Sequence, residues 1–526
     1  MSVNSLVALV GTGVFAHNVH KVLSAGGCSL GYSVDEFRTM DYLKKPVFKA
    51  AEIPIEMRDA TAKFVVAISH PEHCEAAVQR LQQQGVPPEK IIPLTDDHVI
   101  PILDLIFSEF GSTAAEFFES YQCRSVFDLE RHFFGDGWVR AQAALDPAKQ
   151  TLAFCFYGRG GGFRRHIRGL IPRLRERFNL LALMDEKLPN EGFDIPELFM
   201  GPDTARDLES VGLPDVDLSL TAHFISCSPD DQAKVNFLHT SFDFILEPDW
   251  IVDRLETADP HYIFTSTRAT YEWMIDMVGR RPLKNRICLI PGGYTRLDEN
   301  LQHAEVYTGP VDSLIYAPTL SLNAVAHHEL TYSAPAAAEI LKAMRQEFPE
   351  QKTVFRPHPN DLQLLRGGRD DELAQPFIAA LAVCESEDGY QLDEAQTFYM
   401  DSYNRAAVMI SDTSSTAYTY ALTTCRPVVF FSPHDDKVRR IFADDSVFIR
   451  DRNRVGRVVG SVSEMVTAIA EMNADLAGWQ ERIAAYRAEV CFNLGRTEEY
   501  FVENIDFILE GKQHPDWFYL NWGSSS

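Results

Sequence analysis

The chain has 526 residues, too many for one hydrophobic core, and length alone predicts about three domains. Its 45% hydrophobic and 24% charged residues are those of an ordinary globular protein, with no apolar run of the roughly 18 residues a membrane span needs. A formal charge of −26 at pH 7 argues against nucleic acid as a partner and against electrostatic docking on an anionic bilayer.

The nine cysteines stand singly, with no C-x-x-C pair. That pattern predicts reduced thiols in a cytoplasm rather than a disulfide framework or a thiolate zinc site. The opening "MSVNSLVALVGTG" has neither a basic start nor a small-residue cleavage site, so no secretory signal is expected. Localisation is therefore expected to be cytoplasmic, with peripheral contact at the inner face of the membrane at most.

Residues 1–100 have their own α/β rhythm. "LVALVGTG" reads as a strand and glycine turn, "VFAHNVHKVLSAGG" as a helix, and "CSLGYSVDEF" and "KFVVAIS" as further strands. "PEHCEAAVQRLQQQG" is an amphipathic helix closed by Gly85, and "KIIPL" a last short strand. "GTGVFAH" fits G-x-G-x-x-A after a strand, with Gly11 and Gly13 in the turn. Asp35 follows the second strand, as in dinucleotide-binding domains. Phe15 and His17 are bulky for a cofactor-phosphate turn, so a structural or docking role stands beside the nucleotide reading. Residues 101–149 are aromatic and helical in pattern and read as a connector.

Residues 150–305 open with "TLAFCFYGRGGGFRRHIRGLIPRL". Gly160, Gly161 and Gly162 strip side chains from a strand-to-helix turn, so backbone N–H groups can approach a phosphate or sugar. Arg164, Arg165 and Arg168 follow. The plainer account is a tight turn before a solvated basic helix, and the missing GK[ST] excludes a P-loop. "VNFLHTSF" places His239 after a strand-like run, where it could exchange a proton or be a satisfied core histidine. The D-x-D of "LPDVDLS" and the "AHHEL" at 326–330 read as a loop and a helix surface, and no metal is expected.

Residues 306–526 hold "SLIYAPT", "KTVFRPHP", "AAVMISDTSS" and "RPVVFF", then a mostly helical stretch from Val462 to Gly511. Strands alternating with helices of this length predict parallel sheets, hence an α/β protein. Arg356 brings a fixed fork for phosphate, and prolines flank His358; a rigid turn is the alternative. Asp412, Thr413, Ser414, Ser415 and Thr416 fall where a strand hands over to a helix. Hydroxyls beside the positive end of a helix dipole can donate to phosphate oxygens. Ordinary N-capping uses the same residue types, although four hydroxyls exceed what one cap requires.

"LIYAPT" at 314–319, "FRPHP" at 355–359, "ISDTSS" at 410–415 and "RPVVFF" at 426–431 together resemble the CDP-glycerol glycerophosphotransferase family. These are the GT-B enzymes that build teichoic acid and capsular polyol-phosphate chains. "CLIPGGYTRLD" at 288–298 resembles the G-x-x-R-x-D segment that precedes the family's second domain. The resemblance spans about residues 150–510. It implies a Rossmann-like N-terminal domain followed by a GT-B pair, with an acceptor domain at 150–305 and a donor-nucleotide domain with closing helices at 306–526. The first 100 residues are similar to the nucleotide-sugar-binding domains that precede bacterial sugar acyltransferases.

By that resemblance His239 and His358 are the catalytic residues, His239 as base and His358 with Arg356 on the donor diphosphate, while Thr319, Ser414 and Ser415 lie at the donor phosphate. The family's H-G-T reads H-T-S here. No tightly bound cofactor is implied, but a nucleotide-activated donor, CDP-linked for preference, and a saccharide or lipid-linked saccharide acceptor. A homo-oligomer is compatible with this reading. A glycosyltransferase, inverting or retaining, a nucleotide-sugar 2-epimerase and a non-catalytic nucleotide-binding scaffold remain the alternatives.

Overall fold

Short apolar runs bounded by glycine, proline and hydroxyl residues form most of the strands, because the central ones are covered on both faces and need no polar alternation. The computed structural model describes residues 6–12, 16, 19–20, 23, 30–36, 45–68, 71–94, 137–156, 163–184, 192–199, 216–222, 232–239, 255–256, 259–322, 333–366, 368–386, 388–395, 398–442 and 446–523. Most of the connector expected at 101–149 and the "AHHEL" segment lie outside them. The chain divides into two units. The first comprises Met1–Gly161, Arg177–Val216 and Ile225–Pro229, and the second Gly162–Glu176, Asp217–Phe224 and Asp230–Ser526.

The first unit begins with a five-stranded sheet of β1 (Leu6–Val10), β2 (Leu30–Val34), β3 (Val47–Phe48), β4 (Thr61–Val66) and β5 (Ile91–Pro93). Its order is β3-β2-β1-β4-β5 and every pairing is parallel. Tyr32, Phe64, Val10 and Leu81 sit in its core, the last from the amphipathic helix Pro71–Gln83. The unit also holds the parallel strands β6 (Thr151–Phe156), β7 (Asn179–Met184) and β8 (Glu197–Phe199). All six residues of β6 are buried, as its unbroken apolar run requires.

In the second unit, β9 (Leu218–Ala222), β10 (Lys234–Phe237), β11 (His261–Thr265) and β12 (Ile287–Pro291) run parallel in sequence order. A six-stranded parallel sheet follows: β13 (Ser313–Tyr316), β14 (Lys352–Phe355), β15 (Tyr390–Leu392), β16 (Ala406–Ser411), β17 (Val428–Phe431) and β18 (Gly456–Val459). Its order, β15-β14-β13-β16-β17-β18, is the doubly wound one, so the topological switch lies between β13 and β16. The fold class is thus the expected α/β one, with Rossmann-type strand order.

The closing helices bury Ile469, Met472, Ile483 and Tyr486 in the core of the six-stranded sheet. The helix Thr497–Leu509 then crosses to the other sheet of the same unit. There Phe501 meets Phe237 and Phe264 edge-on at 5.0 and 5.7 Å. The last strand, β19 (Phe518–Leu520), pairs antiparallel with β12. Among the described residues no helix is long and apolar enough to cross a membrane.

Candidate functional site

The carboxyl ends of β13, β14 and β16 converge at the switch point. Backbone bonds keep the loops in step: Ala317 N–H donates to Ile410 O, and Arg356 N–H to Tyr316 O. Asp412, just past β16, is buried, and both of its oxygens are taken. Oδ1 accepts the Thr319 N–H at 2.8 Å and Oδ2 accepts the Ser333 hydroxyl, which in turn accepts from Tyr316 at 3.0 Å. Asp412 and Thr319 therefore tie one loop to the other. Asp361 does the same for the Ser321 and Leu322 N–H groups, at 2.7 and 2.9 Å.

The hydroxyl run divides its labour. Ser414 Oγ accepts the Thr416 N–H at 3.3 Å, satisfying one orphan donor of the helix Thr416–Thr424. Thr416 Oγ1 pairs with the Tyr403 hydroxyl at 3.2 Å. Ser415 occupies the cap position, yet its side chain makes no capping bond. Thr413 and Ser415 are partly exposed at the helix start. His358 heads the helix Pro359–Arg366, and its Nδ1 accepts the Asn360 N–H at 3.2 Å. That bond puts the neutral imidazole's proton on Nε2, where it can be donated.

Arg356 is buried against Asp393 at 2.9 Å, and its guanidinium lies 5.2 Å from the Tyr399 ring centre. The guanidinium of Arg296 lies 5.1 Å from the same ring and donates from Nε to the Tyr399 hydroxyl at 3.3 Å. Asn300 donates to that hydroxyl as well, at 3.1 Å. Arg296 also pairs with Glu299, to which Arg168 comes within 3.8 Å. Burial works against the charge on Arg296, but Tyr399 and Glu299 outweigh it and hold the guanidinium above its ordinary value. Arg165 is lowered to about 10, by burial first and then by Arg296 and Arg168. Four arginines thus share a neighbourhood with Glu299 and Asp393, an arrangement suited to a multivalent anion.

Beside this cluster, His166 stacks on Tyr294 at 5.6 Å and meets His239 edge-on at 6.2 Å. The Tyr294 hydroxyl donates to the His239 carbonyl at 2.8 Å, and Thr295 Oγ1 to the His166 carbonyl at 2.7 Å. The G-x-x-R-x-D segment therefore has divided duties. Gly293 adopts φ +113°, and Asp298 accepts the Gly495 and Thr497 N–H groups at 2.7 and 2.8 Å, anchoring the crossing helix. Arg296 alone of the three enters the arginine cluster.

Of the residues singled out by sequence, His239, Arg356, His358, Thr319 and 412–416 lie in this second unit. Gly160, Gly161 and Gly162 fall outside the described residues. Arg164 is fully buried, so the basic run reaches the cluster through Arg165 and Arg168 instead. In the first unit Gly11 adopts φ +102° where a Cβ would stand 2.9 Å from the Ala67 carbonyl oxygen, and Thr12 donates to Asp35 at 2.7 Å. Strand packing thus requires Gly11, and Gly13 lies outside the described residues. Sequence reasoning missed His166, Tyr294 and Tyr399. A basic run and a glycine turn contained the first two, while "TFYM" gave no signal for Tyr399. A cavity of about 380 Å³ bounded by Tyr307, Ser313, Gln391 and Arg405 also lies in this unit, but holds none of these residues.

Burial lowers His166, His239, His261 and His358 below the usual histidine range, to about 4 for His239 and His358 and about 3 for His261. It raises Asp361 and Asp412 to about 6. Each histidine favours folding above its unfolded value of 6.5, and that contribution is lost as pH falls towards 4. The two aspartates act oppositely, because the folded state takes up their protons first. Burial also raises Asp298, so with four histidines against three aspartates the denaturation midpoint is expected to fall between pH 7 and pH 4. A flat or rising midpoint in urea titrations across that range would contradict this balance.

No family model matches the sequence, and no curated protein sequence matches it. Among solved structures, the wall teichoic acid polymerase TagF is similar at 12% identity, over 73% of this chain and 94% of that one, with a TM-score of 0.49. The UDP-GlcNAc 2-epimerase from Neisseria meningitidis bound to UDP-GlcNAc is similar at 11% identity, over 68% and 99%, with a TM-score of 0.41. A UDP-glucose:anthocyanidin 3-O-glucosyltransferase in complex with UDP is similar at 9%, over 69% and 99%, also at 0.41. At these identities and scores the likeness assigns no activity to this chain.

Proposed function

We propose that the chain is a transferase that takes a nucleotide-activated donor, CDP-glycerol or a similar CDP-polyol. It passes a polyol phosphate to a saccharide hydroxyl in the building of a surface polysaccharide. The observation that carries this reading is the pair of buried guanidiniums, Arg296 and Arg356, held on the Tyr399 ring beside the switch point of a doubly wound sheet. The resemblance of "FRPHP" and "ISDTSS" to the glycerophosphotransferase motifs supports the choice of donor.

In this reading Arg296, Arg356, the Nε2–H of His358 and the helix start at 413–416 hold the diphosphate. The acceptor oxygen attacks the β-phosphorus in line, a neutral histidine takes its proton, and CMP leaves. Positioning and preorganised charge supply the rate, as is general for phosphoryl transfer. The test is a thermal-shift screen of the full chain with CMP, CDP, UDP and GDP. A ligand at about 100 times its Kd should stabilise the fold by ~2.7 kcal/mol. Stabilisation by cytidine nucleotides is the expected result. A preference for UDP would turn the reading towards a glycosyltransferase, and no response to any nucleotide would leave a scaffold.

A further inference from the structure

Sequence reasoning assigned proton transfer to His239, but the surroundings of His166 are better built for it. The His166 side chain is 8% exposed, and its Nδ1 is buried with no hydrogen-bond partner. A buried polar nitrogen left open in this way calls for an occupant. Its ring plane is set by the stack on Tyr294 and by the edge of His239, and its backbone by the bond from Thr295. Tyr294 and Thr295 lead directly into Arg296, so the elements that hold this imidazole also deliver a guanidinium of the anion cluster. Arg165, Arg296 and His239 are the charged and titratable neighbours that act on it.

We infer that His166 is the catalytic base of the proposed transfer, with its open Nδ1 facing the acceptor hydroxyl and His239 positioning its ring. This rests on the functional reading above. The proton of the acceptor hydroxyl passes to Nδ1 as the oxygen bonds to the donor β-phosphorus. The bond from that phosphorus to the CMP oxygen breaks, and CMP leaves with the electron pair. His166 then returns the proton to solvent. Burial first, and then the nearby Arg296 and Arg165, keep the imidazole in the neutral form that a base requires.

The experiment measures CMP release from CDP-glycerol, with glycerol as the acceptor, by the full chain and its H166N and H239N variants. Calorimetry with CMP runs in parallel. Loss of a general base should lower kcat of H166N about 10²- to 10³-fold, with CMP affinity kept within about twofold. H239N should lose less. Adding imidazole to H166G should restore turnover, more strongly for more basic imidazoles, which a purely structural role would not produce. H166N at wild-type kcat, or H166G without rescue, overturns the inference while CMP binding leaves the functional reading standing. A wild-type chain that binds no CMP overturns both.

Discussion

Replacing Arg296 with Gln is expected to lower turnover of the nucleotide donor by about 10²- to 10³-fold and to weaken nucleotide binding, without unfolding the protein. Among the described residues, Arg296 touches Tyr399 through both ring and hydroxyl, pairs with Glu299, and acts electrostatically on Arg165 and His166. A preorganised donor of this kind is typically worth about 10²–10³ in rate, because it stabilises charge without reorganising. Glu299 is partly exposed, so its loss of a partner is tolerable to the fold. The same change at Arg356 is a poorer probe. It would strand the buried Asp393, and removing one partner of a buried ion pair costs about 3–5 kcal/mol. Calorimetry and CMP release on R296Q and R296K decide the matter. If R296K keeps wild-type affinity and rate, a point charge suffices and the fork geometry is irrelevant; if R296Q does so, the anion site lies elsewhere.

Replacing Gly293 with Ala is expected to destabilise the protein strongly. At φ +113° an alanine is strained, and its Cβ would stand 2.5 Å from Thr497 Oγ1 and 2.7 Å from the Phe492 carbonyl oxygen. Substitutions that combine backbone strain with a clash against main chain fall in the range of about 2–4 kcal/mol. The neighbouring Asp298→Ala removes the acceptor of two N–H groups at the start of the crossing helix, and each buried orphan costs about 1–3 kcal/mol. Both changes loosen the same contact, so the double variant should lose less than the sum of the two. Urea denaturation of the three variants checks this, and full additivity would mean the two residues support separate features.

The strands were legible because their signal is local. "AAVMI" and "VVFF" are apolar throughout and are followed by serine, so their burial and their polar carboxyl ends could be read directly. The junction chemistry at Arg356, His358 and 412–416 was legible for the same reason. What those residues do was less so. Asp412 has the right chemistry for a phosphate loop, but both its oxygens are used in closing that loop onto Thr319 and Ser333. His358 likewise uses one nitrogen as a helix cap, accepting the Asn360 N–H.

By itself the sequence determined the α/β class, the parallel strands and the positions where polar groups interrupt them, since all three follow from periods and neighbours within a few residues. Only the tertiary structure decided which of those groups meet. Tyr399 reaches Arg296 across 103 positions, and Thr497 reaches Asp298 across 199. His166, His239 and Tyr294 are far apart in the chain, and their rings adjoin only in the folded unit. No period records such a meeting. Strand order and the crossing helix fix it, and both arise from burying apolar faces far apart in the chain.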